Sequence, residues 1–313
     1  MDLRFEVVKD IQNAKILWNQ FSPNQTLWDD WDFRYCFYKY YNYELFFYVG
    51  WLGDQAIGLL PLQHNGKSLE FFGGEYMEEN KLFIKPEFKD LIPKFYENIK
   101  QRTKLEYISG EDPFTQILPI KDYKYIYNLS GATDVDQLLD KYFETDAKKK
   151  RRRLEKEVGE IVMTLNNFED IDLMIELNIQ NFGADSSFNQ PFRKEIFHDL
   201  LKLNHEIFLM TFSIEGKKQA VSLAIKYKDR FVSLNSGVNK EDFPDLAKCL
   251  ILKKVDQAIK LGCKVFDACA GDYGWKRHWH LEKIPQHKYS GSISYLPASW
   301  PQAASISSPK RNL

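Results

Sequence analysis

The chain contains one pattern twice, and this constrains its fold more than any other feature. Glu44–Leu62, broken at Gly53, is followed by a polar turn and then Leu69–Gly74, and reads as strand, turn, strand, turn, strand. Glu206–Ile225, broken at Gly216, is followed by the turn Lys228–Arg230 and then Phe231–Gly237, in the same order and at nearly the same spacing. Gly53 corresponds to Gly216, Gln55-Ala56 to Gln219-Ala220, and Gly74 to within a residue of Gly237. Turns this short cannot hold a parallel crossover, so each copy is expected to be an antiparallel meander.

Helical spacing surrounds both copies. Apolar residues recur at three- and four-residue steps over 11–21 and 30–40 before the first meander, and over 170–182 and 191–203 before the second. After the second meander, Leu246, Leu250, Ile251, Val255, Ala258 and Ile259 form one face of a helix, with Asp245 as its N-cap and Gly262 as its stop. A short strand, 263–267, follows at once, and residues 123–129 and 134–143 read as a strand and a helix between the halves. The expected fold class is α+β, with two tandem domains that are each a mostly antiparallel mixed sheet flanked by helices. A length of 313 residues suits two such domains, and the boundary is expected near residue 130. The expected division is therefore 1–130, 131–289 and a Ser- and Pro-rich mobile tail over 290–313.

The closing stretch of the second half carries a resemblance. Ala258, Gly262, Phe266-Asp267, Gly271-Asp272, Lys276 and Trp279 are similar to the closing signature of the FemAB/CelD-like branch of the GNAT acyltransferase superfamily, whose members carry two GNAT-type domains in tandem. Trp275 stands where tyrosine is usual in that signature. The basic run Lys148–Arg153 resembles the K/R-rich helix that opens the family's second domain, and Gly58–Leu62 resembles its G-x-x-P-L strand. Together these cover about residues 25–285. The resemblance implies transfer of an acyl or aminoacyl group to a small-molecule or peptide amine held in the interdomain cleft. Acyl-CoA is the expected co-substrate and aminoacyl-tRNA a possible alternative donor. Residues 154–170 leave no room for the long helical arm that larger tRNA-dependent members often carry.

Acyl transfer to an amine needs a base, donors aimed at the developing oxyanion and an acid for the leaving group. Asp272, Tyr273 and Lys276 are the candidate catalytic residues: Asp272 to orient or deprotonate the amine, Tyr273 as acid, Lys276 to hold an oxyanion, carboxylate or phosphate. Trp279, Asn235, Ser236, Glu75 and Tyr76 are expected to line the substrate, the last two because they follow the end of the first meander. Arg151, Arg152 and Arg153 are candidates for phosphate contact, although such a run is more often a solvated helix face, here offset by Glu155, Glu157 and Glu160 at helical spacings.

One feature departs from CoA-dependent relatives. A pyrophosphate is normally received by a glycine-rich turn at a helix N-terminus, where backbone N–H groups point outward. Here Asn239–Lys248 has no glycine and carries Glu241, Asp242 and Asp245. The same acids motivate an alternative of another class, in which the duplicated fold is a non-catalytic binding module for a glycan, peptide or nucleotide-linked ligand.

Composition excludes rather than selects. With 43 basic against 44 acidic side chains the chain is no globally basic nucleic-acid binder, and 23 Phe, 17 Tyr and 7 Trp exclude extended disorder. No stretch is apolar enough to span a membrane and no targeting segment is seen, so the expectation is cytoplasmic. Cys263, Cys269, His278 and His280 lack the close pair that begins a zinc site, and no metal is expected. The aromatic run Trp28–Tyr41 has the spacing of a packed helix rather than of a ligand platform.

Overall fold

The computed structural model describes residues 2–110, 113–142, 147–271, 276, 279 and 281–291. In chain order these form β1 (Leu3–Val8), α1 (Ile11–Phe21), α2 (Trp31–Tyr41), β2 (Glu44–Leu52), β3 (Gln55–His64), β4 (Leu69–Phe71), β5 (Phe83–Ile84), α3 (Ile92–Glu97), β6 (Thr103–Ile108), α4 (Pro113–Ile117) and β7 (Ile120–Asn128). There follow α5 (Val135–Tyr142), α6 (Ala147–Val158), β8 (Ile161–Leu165), α7 (Ile171–Phe182), α8 (Arg193–Leu200), β9 (Glu206–Ile214), β10 (Lys217–Tyr227), β11 (Arg230–Val238), α9 (Leu246–Lys260), β12 (Val265–Ala270) and β13 (Glu282–Gly291). No described helix is long and apolar enough to cross a membrane.

Two compact units result. Among the described residues the first comprises 2–23, 43–110, 113–119 and 287–291, and the second 24–42, 120–142, 147–271, 276, 279 and 281–286, while the expected tail over 290–313 lies, from residue 292 on, outside the described residues. This division differs from the expected boundary near 130, because residues 24–42 and 120–130 pack within the second unit. The reason is visible in α2, whose Trp31, Phe33 and Phe37 are buried and whose Lys39 and Tyr40 each donate to Asp199 of α8 at 2.6 Å. The aromatic run is therefore core, with Trp28 and Phe33 meeting edge to face at 5.4 Å between ring centroids.

In the first unit the expected meander is present: β2 pairs β3 and β3 pairs β4, all antiparallel. Gly53 takes a positive φ of 60° in the first turn, which only a residue without Cβ adopts at no steric cost. β1 pairs the outer edge of β2, β6 lies beside β4, and His287–Gly291 of β13 pairs β6. Leu60, Leu62, Leu69, Phe95 and Leu105 form the centre of this core.

The second unit is built on strands in the order β7, β12, β11, β10, β9, β8, and only β11 and β12 run parallel. It is the expected mixed, mostly antiparallel sheet. α9 packs one face, where Leu246, Leu250, Val255 and Ala258 join Tyr125, Phe231 and Phe266 in the main core. α7 packs the other face so closely that a Cβ on Gly237 would lie 2.2 Å from the Met174 carbonyl oxygen. The correspondence expected between Gly74 and Gly237 does not hold, since Gly74 forms a turn at φ 82° whereas Gly237 lies inside β11.

Candidate active site

The site is a fork between two strands. β11 and β12 run parallel over three residue pairs only, ending at Val232 opposite Asp267. The divergence has a local cause in β12. Against β7, Asp267 faces Ile126 and Ala270 faces Lys124, so β12 carries one residue more than its partner over that interval. The Asp267 carboxylate accepts from the Cys269 N–H at 2.9 Å, and Cys269 adopts φ +60°. A bulge of this kind bends its strand and ends regular pairing, and here it turns β12 away from β11.

Asp267 has a second role. Its carboxylate lies 2.6 Å from the ammonium of Lys124, and both side chains are almost wholly enclosed, at 0% and 1% exposure. Lys124 also lies over the Trp28 ring at 5.5 Å. Beyond the bulge, buried Lys276 donates to the carbonyls of Cys269 and Ala270 at 2.8 Å each and stands 5.0 Å over the Tyr125 ring. The ammonium thus holds the carbonyls of the diverging strand end.

The opposite arm of the fork has its own irregularity. In the β10–β11 ladder Ala224 faces Ser233 and Leu223 faces Asn235, which leaves Leu234 as an extra residue. Side chains three apart on a regular strand point to opposite faces. The extra residue brings Ser233 and Ser236 to the same face, and Lys254 of α9 donates to both, at 3.0 and 3.3 Å. Ser236 continues to Ser222 at 2.8 Å. Lys254 is buried, and burial pushes its ammonium down to about 8, with nearby Cys269 opposing that shift and Lys276 reinforcing it.

Lys276 and Ser236 lie on the two arms of the fork. Asn235 points to the other face, where Asn178 donates to its side chain at 2.9 Å, so it anchors α7 to β11. Trp279 packs against the main core and its carbonyl accepts from Tyr127. Glu75 and Tyr76 lie in the first unit between β4 and β5, beside a knot in which Gln63 and Asn65 donate to Glu70 at 2.7 and 2.6 Å. In the basic run, Arg152 and Arg153 are exposed and Arg153 pairs with Glu157 at 2.6 Å, the solvated-face arrangement. Asp272 and Tyr273, together with His278 and His280, lie outside the described residues, as does the side chain of Arg151. Cys263 and Cys269 are buried free thiols, and no group among the described residues could hold a metal ion.

Sequence reasoning missed Ser233, Lys124 and Lys254. The signal for Lys254 was present, as a lysine between Leu250 and Ala258 on the apolar stripe of α9. A charged side chain at such a position needs polar partners opposite, and the serines on β11 supply them.

At the start of α9, Asp245 is the N-cap residue but makes no side-chain capping bond, and it pairs with Lys248. Asp242 accepts from Asn239 at 2.9 Å. The acids are thus partly compensated locally, and Arg153 of α6 also feels the charge of Asp245.

Comparison with known proteins agrees with this architecture. Residues 141–277 match the family model described as an acetyltransferase (GNAT) domain. The structure of FemX superposes with a TM-score of 0.57 at 11% identity, covering 93% of this chain and 98% of that one. A tandem GNAT protein from the clavulanic acid biosynthesis pathway gives 0.53 at 9%, covering 94% and 100%. L-PGS from Bacillus licheniformis gives 0.52 at 11%, covering 83% and 90%. No curated protein sequence matches the chain.

Proposed function

With a tandem-GNAT fold and an acetyltransferase-type GNAT domain over residues 141–277 as the premise, we propose that the chain is an N-acyltransferase whose acyl carbonyl is processed at the fork between β11 and β12. The observation that carries this reading is the pair of buried lysines there. Buried Lys276, held at the end of β12 with buried Lys254 of α9 nearby, places positive charge beside the fork, and such charge favours the oxyanion that forms when an amine attacks an acyl carbon. In a low-dielectric site that preference is stronger than it would be in water. In this reading Asp272, which lies outside the described residues, orients or deprotonates the acceptor amine.

The proposed donor is an acyl-CoA, as the GNAT family match suggests, with an aminoacyl-tRNA as the alternative that the likeness to FemX brings in. The acceptor is an amine of a small molecule or peptide. The test incubates the full chain with acetyl-CoA, longer acyl-CoAs or charged tRNA, each with and without a panel of amines, and follows free thiol or deacylated tRNA. Amine-dependent consumption of one donor is the expected result, and its absence with every donor would overturn the reading. Asp242 and Asp245 at the start of α9 favour a second reading as a binding module. Calorimetric titration that shows a glycan or nucleotide-linked ligand bound without turnover would support that one instead.

A further inference from the structure

Resting on that reading, we propose that Ser233 and Lys254 form a serine–lysine dyad, in which Ser233 accepts the acyl group covalently before passing it to the amine.

Four observations meet there. Ser233 is the first β11 residue beyond the last parallel pair, so its hydroxyl stands where the two strands separate. It is only half-buried, whereas Lys254 behind it is enclosed. The bulge at Leu234 turns Ser233 and Ser236 to the same side, and Lys254 bridges them. Finally, the two serines differ in what their protons can do. Ser222 donates to the Asn235 carbonyl at 3.2 Å, which leaves Ser236 to donate to Ser222 at 2.8 Å. Ser236 is thereby a fixed anchor for the lysine. Among the described residues the bond from Lys254 is the hydrogen bond that the Ser233 side chain makes, so its own proton is available to the amine once that amine is neutral.

Burial holds the Lys254 ammonium near 8, so a useful fraction is neutral amine at neutral pH. A nucleophilic serine needs this condition, a base within hydrogen-bond reach whose proton affinity lies close to the working pH.

The steps balance as follows for a thioester donor. Ser233 Oγ bonds to the acyl carbon while its proton moves to the Lys254 amine. The bond from that carbon to sulfur breaks, and the Lys254 ammonium returns the proton to the departing thiolate. The acceptor amine then attacks the acyl-serine, its proton passes to Lys254, and the carbon–Oγ bond breaks as Ser233 recovers a proton from Lys254. The sum is thioester plus amine giving amide plus thiol.

The test uses p-nitrophenyl acetate, an activated ester that requires no recognition of the natural donor. Full-length protein treated with it and quenched in acid should gain the mass of one acetyl group, mapped to Ser233 by peptide analysis, with a matching burst of nitrophenolate. The burst rate should rise through about pH 8. Ser233→Ala and Lys254→Met should lower the burst rate by about a hundredfold or more, the range of a lost general base, while Ser236→Ala keeps the adduct and slows its formation. Ser233→Cys, judged folded by circular dichroism, should trap the acetyl group as a thioester. An acetyl group found on Lys254 or Cys269, or none on folded protein, overturns the dyad. If amine-dependent transfer persists undiminished in Ser233→Ala, the dyad fails while the acyltransferase reading stands. If Ser233 is acetylated but no donor supports transfer to any amine, the dyad stands and the acyltransferase reading fails.

Discussion

Asp267 and Lys124 form an enclosed ion pair, 2.6 Å apart, at the residue where β11 and β12 part. The same carboxylate caps the Cys269 N–H, so one side chain both bends β12 and neutralises the lysine beside it. Removing either partner strands a charge in a space that water does not reach. Asp267→Asn and Lys124→Met are each expected to cost about 3–5 kcal/mol, the range for breaking a buried pair from one side. Urea unfolding followed by circular dichroism measures this. The double variant Lys124→Met/Asp267→Leu should lose much less than the two single losses combined, because no charge is then left unpaired.

Gly237 provides a separate check on how α7 is seated. A methyl group there would meet the Met174 carbonyl oxygen at 2.2 Å and Leu177 Cβ at 2.8 Å, and neither can yield without moving the helix. Gly237→Ala is expected to destabilise the chain by about 1–3 kcal/mol through overpacking. It should also loosen the bond from Asn178 to Asn235, which an amide hydrogen-exchange profile of α7 would report as lost protection.

These two residues show what the sequence could and could not convey. Alternating apolar residues and turn glycines announced both meanders, because period and turn chemistry are local properties. Helical spacing likewise announced α1, α2, α7 and α9 to within a residue or two. The second-unit membership of residues 24–42 was not legible, since it depends on which surface the aromatic face of α2 finds, and α8 lies about 160 residues away in sequence. The site was legible in part. Phe266-Asp267 and Lys276 marked β12 and its end, but the bulges at Cys269 and Leu234 that shape the fork are pairing shifts between strands, and no single strand records them. Ser233 went unnoticed for that reason, because without the extra residue it and Ser236 would face opposite ways.

Lys254 should make stability depend on pH at the alkaline end. Its ammonium ionises near 8 in the folded chain and near the ordinary 10.5 when unfolded. Between those values the unfolded chain binds more protons, so stability rises with pH from about 8 to about 10.5 and then levels. Lys254→Met removes the group and should flatten that rise. At pH 7 the variant should be more stable by up to about 3 kcal/mol, the cost of keeping the ammonium buried, less what the two serines lose as partners. Chemical denaturation at several pH values, run in parallel on both proteins, would show a persisting rise in the variant if another group is responsible.

Lys276 is tied to structure and to chemistry at once, and the two contributions can be separated. Its ammonium satisfies the carbonyls of Cys269 and Ala270, so Lys276→Met leaves two acceptors in a buried strand end without that donor. Each stranded polar group costs about 1–3 kcal/mol, which predicts a clear fall in unfolding free energy. If the residue served only to hold the strand end, Lys276→Arg, which keeps the charge and adds donors, would restore stability and activity together. If its charge also stabilises the oxyanion, the precise position of that charge matters, and the larger planar guanidinium carries it elsewhere. The expected outcome is that Lys276→Arg recovers most of the unfolding free energy but little of kcat, with KM for the acceptor near that of the unaltered chain. Parallel recovery of stability and kcat would confine Lys276 to a structural role.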